Sequence, residues 1–233
     1  MEKAYFNWSG GKDSTLALHQ IIHEKQYDIH SLLTTVNATY QRVSMHGVRE
    51  TLLDQQAKSL GIPLKKVMLP EKTPMEVYSR LLKEAAEFYA NQEIRTTIFG
   101  DIFLEDLRKY REEQLATLNI TPVFPLWQQN TTDLLKRFID LGYKAVIVCT
   151  NARFLDESFI GRELDYDFLR DLPENVDPCG ENGEYHTLVY DGPLFEFPVQ
   201  FTKGEAVLRS YPKDDDHAKF DTEFWYQDLL PVE

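Results

Sequence analysis

The chain has 233 residues, 42% of them hydrophobic, and carries 25 Lys and Arg against 38 Asp and Glu for a formal net charge of −13. That length builds one large domain, or one of ordinary size with a smaller second one, and the acidity excludes a broad basic face for nucleic acid while leaving room for a local basic pocket. Cys149 and Cys179 show neither zinc spacing nor a disulfide framework, no apolar run reaches bilayer length, and the chain opens on a strand rather than a signal peptide, so a reducing, cytoplasmic setting is expected.

In chain order, residues 4–8 read as a strand and Ser9-Gly10-Gly11-Lys12-Asp13-Ser14 as a glycine loop feeding a helix over 15–23. Residues 29–36 are apolar and β-branched, a buried strand, followed by a polar loop over 37–44 and the segment Met45-His46-Gly47-Val48-Arg49. A helix over about 50–60 ends at Gly61 with Pro63 beyond it, and 64–69 form a third strand. Residues 74–91 have apolar side chains at helical spacing, 96–101 form a fourth strand ending in Gly100-Asp101, and a charged helix covers 105–118. The prolines of 121–127 suit a strand end or edge.

A boundary is expected near 127–131, giving domains over 1–128 and 129–233. Thr131 or Thr132 is placed to cap a helix over 133–141, ahead of a strand over 143–150 with Asn151 at its end. A short helix is expected over 165–172, with mainly β structure at 187–190 and 199–211. The last twenty residues read as a docked or poorly ordered tail. Alternating strands and helices in the first half predict a parallel sheet covered on both faces, with ligands beyond the strands' C-terminal ends. The glycine loop, the His46 loop and Gly100-Asp101 all sit at such ends, so three polar loops converge on one cleft.

The glycine loop carries the strongest chemistry. Adjacent glycines let backbone N–H groups approach an anion, Lys12 adds a point charge, and the following helix presents its positive end. The plain alternative is a glycine-rich strand-to-helix turn, which six specific residues in this context disfavour. It is not a Walker A loop, whose glycines are spaced differently. The second unusual stretch is Pro178-Cys179-Gly180-Glu181-Asn182-Gly183-Glu184-Tyr185-His186-Thr187, in which two glutamates flank an Asn-Gly turn. A solvated hairpin explains it as well as a site where Glu181 and Glu184 face a nitrogenous substrate or Mg²⁺. Cys179 has no partner His that the sequence can place beside it, and packing is the commoner role for such a cysteine.

The loop resembles that of the PP-loop ATP pyrophosphatases, which split ATP into AMP and pyrophosphate. The resemblance implies that Ser9, Gly10, Gly11 and Ser14 cradle pyrophosphate, that Lys12 neutralises it, and that Asp13 holds Mg²⁺ or orders the loop. Together with Met-His-Gly-Val-Arg, Gly-Asp-Ile followed by Arg108 and Glu112, Pro-Leu-Trp and Cys-Gly-Glu-Asn-Gly-Glu, it is similar to the diphthine–ammonia ligase family over residues 4–195. That family implies an α/β fold: a parallel doubly wound PP-loop (HUP-like, adenine nucleotide α-hydrolase-like) sheet with a smaller C-terminal α+β domain. It implies ATP and Mg²⁺ as cofactors and amidation of a carboxylate, that of diphthine on an elongation factor, by free ammonium through an adenylate.

On this reading Lys12, Asp13, Glu181 and Glu184 are the catalytic candidates, and Gly100 and Asp101 join the loop at the nucleotide. His46, Arg49, Arg108, Asn151, Glu181, Asn182, Glu184 and His186 face the acceptor. The chain departs from the pattern at Leu104-Glu105-Asp106-Leu107, where Ser-x-Tyr-Gln is usual, and at Asn182 and His186, where Gly and Glu are usual. The departures fall where the acceptor is read. Two alternatives stand: an adenylating enzyme for another small molecule or tRNA, and an ATP- or AMP-binding sensor without turnover. A homodimer stays open.

Overall fold

The computed structural model describes residues 1–43, 46–211 and 223–232. Five strands build the first sheet: β1 (Glu2–Asn7), β2 (Tyr27–Asn37), β4 (Leu64–Leu69), β5 (Thr96–Ile98) and β6 (Thr121–Val123). All pair in parallel, in the order β4-β2-β1-β5-β6, and β3 (Arg42–Val43) adds an antiparallel pair at the far end of β2. Strand order therefore reverses between β1 and β5, the switch point at which open α/β sheets hold their ligands.

Alternation along the strands sorts side chains onto two faces. Ala4 and Phe6 of β1 pack with α1 (Lys12–Glu24) and α2 (Glu50–Leu60), whereas Tyr5 faces α3 (Met75–Ala90) and α4 (Glu105–Ala116). Tyr5 stacks on Tyr89 with ring centroids 4.0 Å apart, and Ser31 bonds Tyr89 Oη at 2.7 Å, which satisfies the one polar atom of that buried ring. The sheet is thus doubly wound, as its sequence pattern predicts.

The second sheet is antiparallel, ordered β8-β7-β10-β9, from β7 (Lys144–Asn151), β8 (Tyr185–Asp191), β9 (Phe201–Ser210) and β10 (Glu223–Pro231). Helix α5 (Thr131–Asp140) precedes it and α6 (Tyr166–Asp171) lies between β7 and β8. The expected tail is corrected here: residues 223–231 are a central strand, paired with β7 on one side and β9 on the other. Phe224, Trp225, Tyr226 and Leu229 supply its apolar content. The remainder of the expected tail, 214–222 and Glu233, lies outside the described residues, as do residues 44–45 and 212–213.

Two expected caps also change. α1 starts at Lys12 rather than residue 15, because Ser14 Oγ, Thr15 Oγ1 and Thr15 N all donate to Gly11 O, at 2.9, 2.9 and 3.0 Å, and so wind the chain from Gly11 onward. α5 is capped by Asn130, whose side-chain oxygen accepts from Asp133 N at 3.1 Å, one residue earlier than the threonines.

One core joins the two sheets. Leu134, Leu135 and Phe138 of α5, Val146 and Val148 of β7 and Leu188 of β8 belong to the same buried cluster as Phe6, Leu18 and Leu52. His19 Nδ1 meets Tyr143 Oη at 2.8 Å, and Phe138 stacks on Tyr143 at 5.2 Å. Phe138→Ala is therefore expected to cost about 3–5 kcal/mol in urea unfolding while both sheets melt together. Separate transitions for the two sheets would contradict a shared core.

Candidate active site

The glycine loop is held from two directions. Val189 N, on β8 of the second sheet, donates to Gly10 O at 2.9 Å, and Lys12 N donates to Thr187 Oγ1 at 3.0 Å. Gln56 of α2 donates from Nε2 to Gly10 O (2.9 Å) and to Val189 O (2.6 Å), while its Oε1 accepts from Trp8 Nε1 at 3.0 Å. Gln56 is fully buried and all its polar atoms are used, which is what a buried amide requires. Across the switch point, a Cβ on Gly100 would stand 3.0 Å from Asp13 C and Ser14 N, so only glycine lets the end of β5 lie against the first turn of α1. Ser9 Oγ and Ser14 Oγ meet at 3.1 Å and tie the two ends of the loop.

Lys12 is 4% exposed, and its Nζ lies 2.8 Å from Asp13 Oδ2 and 4.9 Å from the centre of the Tyr185 ring. Burial alone would strip its proton, but the Asp13 carboxylate, with Glu181 behind it, holds Lys12 above its ordinary value and charged. Glu181 comes from the second sheet's motif and anchors on the end of β5: its Oε1 accepts from Ile102 N at 2.7 Å and Phe103 N at 3.4 Å. Burial first, then the Asp13 charge, push Glu181 up to about 7, against the pull of the Ile102 N–H and Lys12. Lys12, Asp13 and Glu181 thus share one electrostatic site at the helix end of the loop.

Glu184 is placed differently. Its carboxylate is 2% exposed and turned inward, accepting from Asp177 N (3.0 Å), Asn182 N (2.9 Å) and Asn182 Nδ2 (3.1 Å). Asp177 does the same from the other side, accepting from Cys179 N and Glu181 N. These two carboxylates fold the turn that carries Glu181; Glu184 and Asn182 serve that turn rather than facing a ligand. Asn151 joins them, its N donating to Glu184 O at 2.9 Å. Burial drives the Cys179 thiol well up, and Sγ donates to Thr131 O, which keeps it an inert packing group.

His46 and His186 are brought together, their rings 4.5 Å apart. His46 Nε2 lies 3.4 Å from where a Gly11 Cβ would stand, so the pair abuts the glycine loop. Burial, then His46 and Lys12, hold His186 well below its ordinary value, hence neutral. Arg49 turns away to Asp228, at 3.1 and 2.7 Å. Arg108 pairs with Glu112 at 2.7 Å and lies over the Phe124 and Trp127 rings at 5.0 and 4.6 Å. Asp101 is held by Arg111 at 3.0 and 3.1 Å. Gln56 and Asp177 are the supporting residues that motif reading passes over, and Thr187, at the end of the second motif, carries no role in it. Only Gln56 carries a signal, a polar residue one turn after Leu52 and Leu53 on the apolar face of its helix.

Two family models cover most of the chain: the diphthamide synthase N-terminal domain matches residues 2–117 and the diphthamide synthase C-terminal domain residues 130–211. The chain belongs to the diphthamide synthase family. Among relatives, the diphthine–ammonia ligase of Mus musculus is 30% identical over 236 residues, covering 87% of this chain and 84% of its own length. That of Homo sapiens is 28% identical over 232 residues, with the same coverage. A predicted subunit of tRNA methyltransferase from Methanocaldococcus jannaschii aligns in structure with a TM-score of 0.43 at 20% identity, over 62% of this chain and 77% of its own. Among the described residues no helix is long and apolar enough to cross a membrane.

Two outcomes follow from the placement of Glu181 and Glu184. Glu181 binds its proton more tightly folded than unfolded, so the folded state loses ground as pH rises from the ordinary 4.5 to about 7. The stability of wild type relative to Glu181→Gln should therefore fall across that window and level off above it; a difference independent of pH would refute the shared site. Glu184→Gln should cost about 1–3 kcal/mol of stability, because one of three donors in the turn loses its acceptor. Chemical denaturation measures both.

Proposed function

We propose that this chain is an ATP-dependent ligase that adenylates a substrate carboxylate, releasing pyrophosphate, and transfers ammonia to it. The observation that carries the reading is Glu181: the turn before β8 brings a carboxylate of about pKa 7 onto Ile102 N, within the electrostatic reach of Lys12 and Asp13, so a candidate base stands beside the glycine loop. A non-catalytic nucleotide sensor has no use for that base.

In the first step a carboxylate oxygen attacks the α-phosphorus and the bond to the β-phosphate oxygen breaks. The charge that builds on departing pyrophosphate is met by Lys12 and by the positive end of α1. Mg²⁺ fits the donor set. Such ions take one or two carboxylates and complete their shell with phosphate oxygens, and Asp13, with its side chain 29% exposed at the loop, offers one. No group of three or more His, Cys, Asp or Glu among the described residues makes a protein-only cage. When bound, the ion would supply further neutralisation of phosphate charge.

In the second step ammonium gives a proton to the Glu181 carboxylate. The freed nitrogen attacks the acyl carbon, AMP leaves with the electrons of the acyl–oxygen bond, and the second proton shed by the nitrogen passes to the phosphate of the departing AMP or to water. A base near neutrality suits that transfer. His46 and the neutral His186 border the loop where the acyl group would lie. The relatives' printed name makes diphthine the first acceptor to try, with other carboxylates as the alternative class.

The test is AMP and pyrophosphate release from ATP, Mg²⁺ and ammonium, with and without diphthine-bearing elongation factor. Lys12→Ala should lower AMP formation by about 10²-fold or more while the unfolding transition survives. Unchanged turnover in that variant would sink the assignment. Release that rises with the factor, together with a loss of about one dalton on it, would fix diphthine as acceptor.

A further inference from the structure

Residues 42–43 and 48–49 form a miniature antiparallel pair: Val43 N donates to Val48 O at 2.8 Å, and Arg42 stands directly opposite Arg49. Two guanidinium groups facing each other across an antiparallel pair repel. Asp228, from the central strand β10, sits between them. Its Oδ1 accepts from Arg42 Nη2 (2.9 Å) and Arg49 Nε (3.1 Å), and its Oδ2 from Arg49 Nη2 (2.7 Å). Arg42 Nη1 reaches on to Gly47 O at 2.6 Å. Gly47 has φ +68°, and a Cβ there would stand 2.9 Å from Tyr226 Cδ1, also on β10, so a glycine is needed twice over.

One residue before Gly47 is His46, whose ring meets His186 and the glycine loop. The strand that supplies Asp228 and Tyr226 lies past residue 211, where the C-terminal family match ends. The contacts therefore run from the last strand, through a charge-balanced pair of arginines, to an imidazole at the phosphate loop.

We propose that Asp228 is a positioning residue: by balancing the facing pair Arg42 and Arg49 and holding them to β10, it sets His46 against His186 and the glycine loop. The carboxylate is required, because an uncharged side chain leaves the two arginines opposed. This rests on the ligase reading for its effect on turnover, but not for its effect on the imidazoles.

The test uses the full chain with Asp228→Asn, Asp228→Glu, His46→Ala and the double variant Asp228→Asn/His46→Ala. Asp228→Asn should lower AMP formation by about tenfold, with Asp228→Glu recovering part of it, and should add less than about twofold once His46 is already Ala, since coupled residues are non-additive. A residue that merely stabilises the fold would add its full loss in both backgrounds, and that result overturns the proposal. Independently of turnover, the ring nitrogen resonances of His46 and His186 should shift in Asp228→Asn and stay in place in Glu205→Gln, which removes a different carboxylate from the cleft that Arg42, Gly47, Tyr226 and Asp228 line. Unmoved imidazole signals overturn the proposal even if no acceptor supports AMP release. Should Asp228→Asn fail to fold, Arg42→Gln/Asp228→Asn, which removes one cation with the anion, should fold and return the His46 signal towards wild type; failure to do so also counts against it.

Discussion

The bond from Val189 N to Gly10 O is the constraint on which the site depends. A glycine loop that must present N–H groups to an anion has carbonyls that point elsewhere and need donors. Here the second sheet supplies one of them, and the buried amide of Gln56 bonds both Gly10 O and Val189 O, so a single side chain locks loop and strand together. The glycine loop of the first sheet is thus completed by a strand more than 170 residues later, as the separation of 175 between Lys12 and Thr187 shows. Neither sheet presents the loop alone, which is why their cores are continuous.

That union permits the electrostatics. A buried lysine is costly unless paired, and Lys12 is paired with Asp13 next door and faces Glu181 from across the sheets. The arrangement leaves one carboxylate more than the cation can balance: burial raises the proton affinity of Asp13 and, with the Asp13 charge, that of Glu181, to about 7. A carboxyl poised near neutrality beside a fixed cation is the condition for an acid–base group, and it arises from burial and charge count rather than from any special geometry of Glu181 itself.

Much of this was legible in the sequence. The order of strands and helices over 2–123 followed from periodicity and glycine punctuation, and the glycine loop, the His46 segment and Gly100 were placed at strand ends, where they lie. What stayed hidden has physical reasons. Glu181 and Glu184 are three residues apart and look equivalent, yet one reaches β5 and the other folds back onto Asp177 N, because turn geometry is set by backbone donors that no residue type announces. Arg49 reads as a ligand contact because its ion-pair partner Asp228 stands 179 residues away, whereas Arg108 and Glu112, one helical turn apart, show their pairing in the spacing itself. The strand β10 was missed because its partners β7 and β9 are both antiparallel, and a central position in such a sheet depends on pairing rather than on local pattern.

The departures from the family pattern can now be separated by what they touch. Asn182 is absorbed by the turn, where its amide bonds Glu184 and leaves the ligand side unchanged. His186 is different. Where the resemblance has a glutamate, this chain puts a half-buried neutral imidazole against His46, near Lys12. A third carboxylate beside Asp13 and Glu181 would balance Lys12 further and press the Glu181 proton affinity higher. An imidazole instead leaves the lysine's field less cancelled and places a neutral ring against His46. The substitution therefore changes the electrostatics beside the glycine loop and brings His186 against His46.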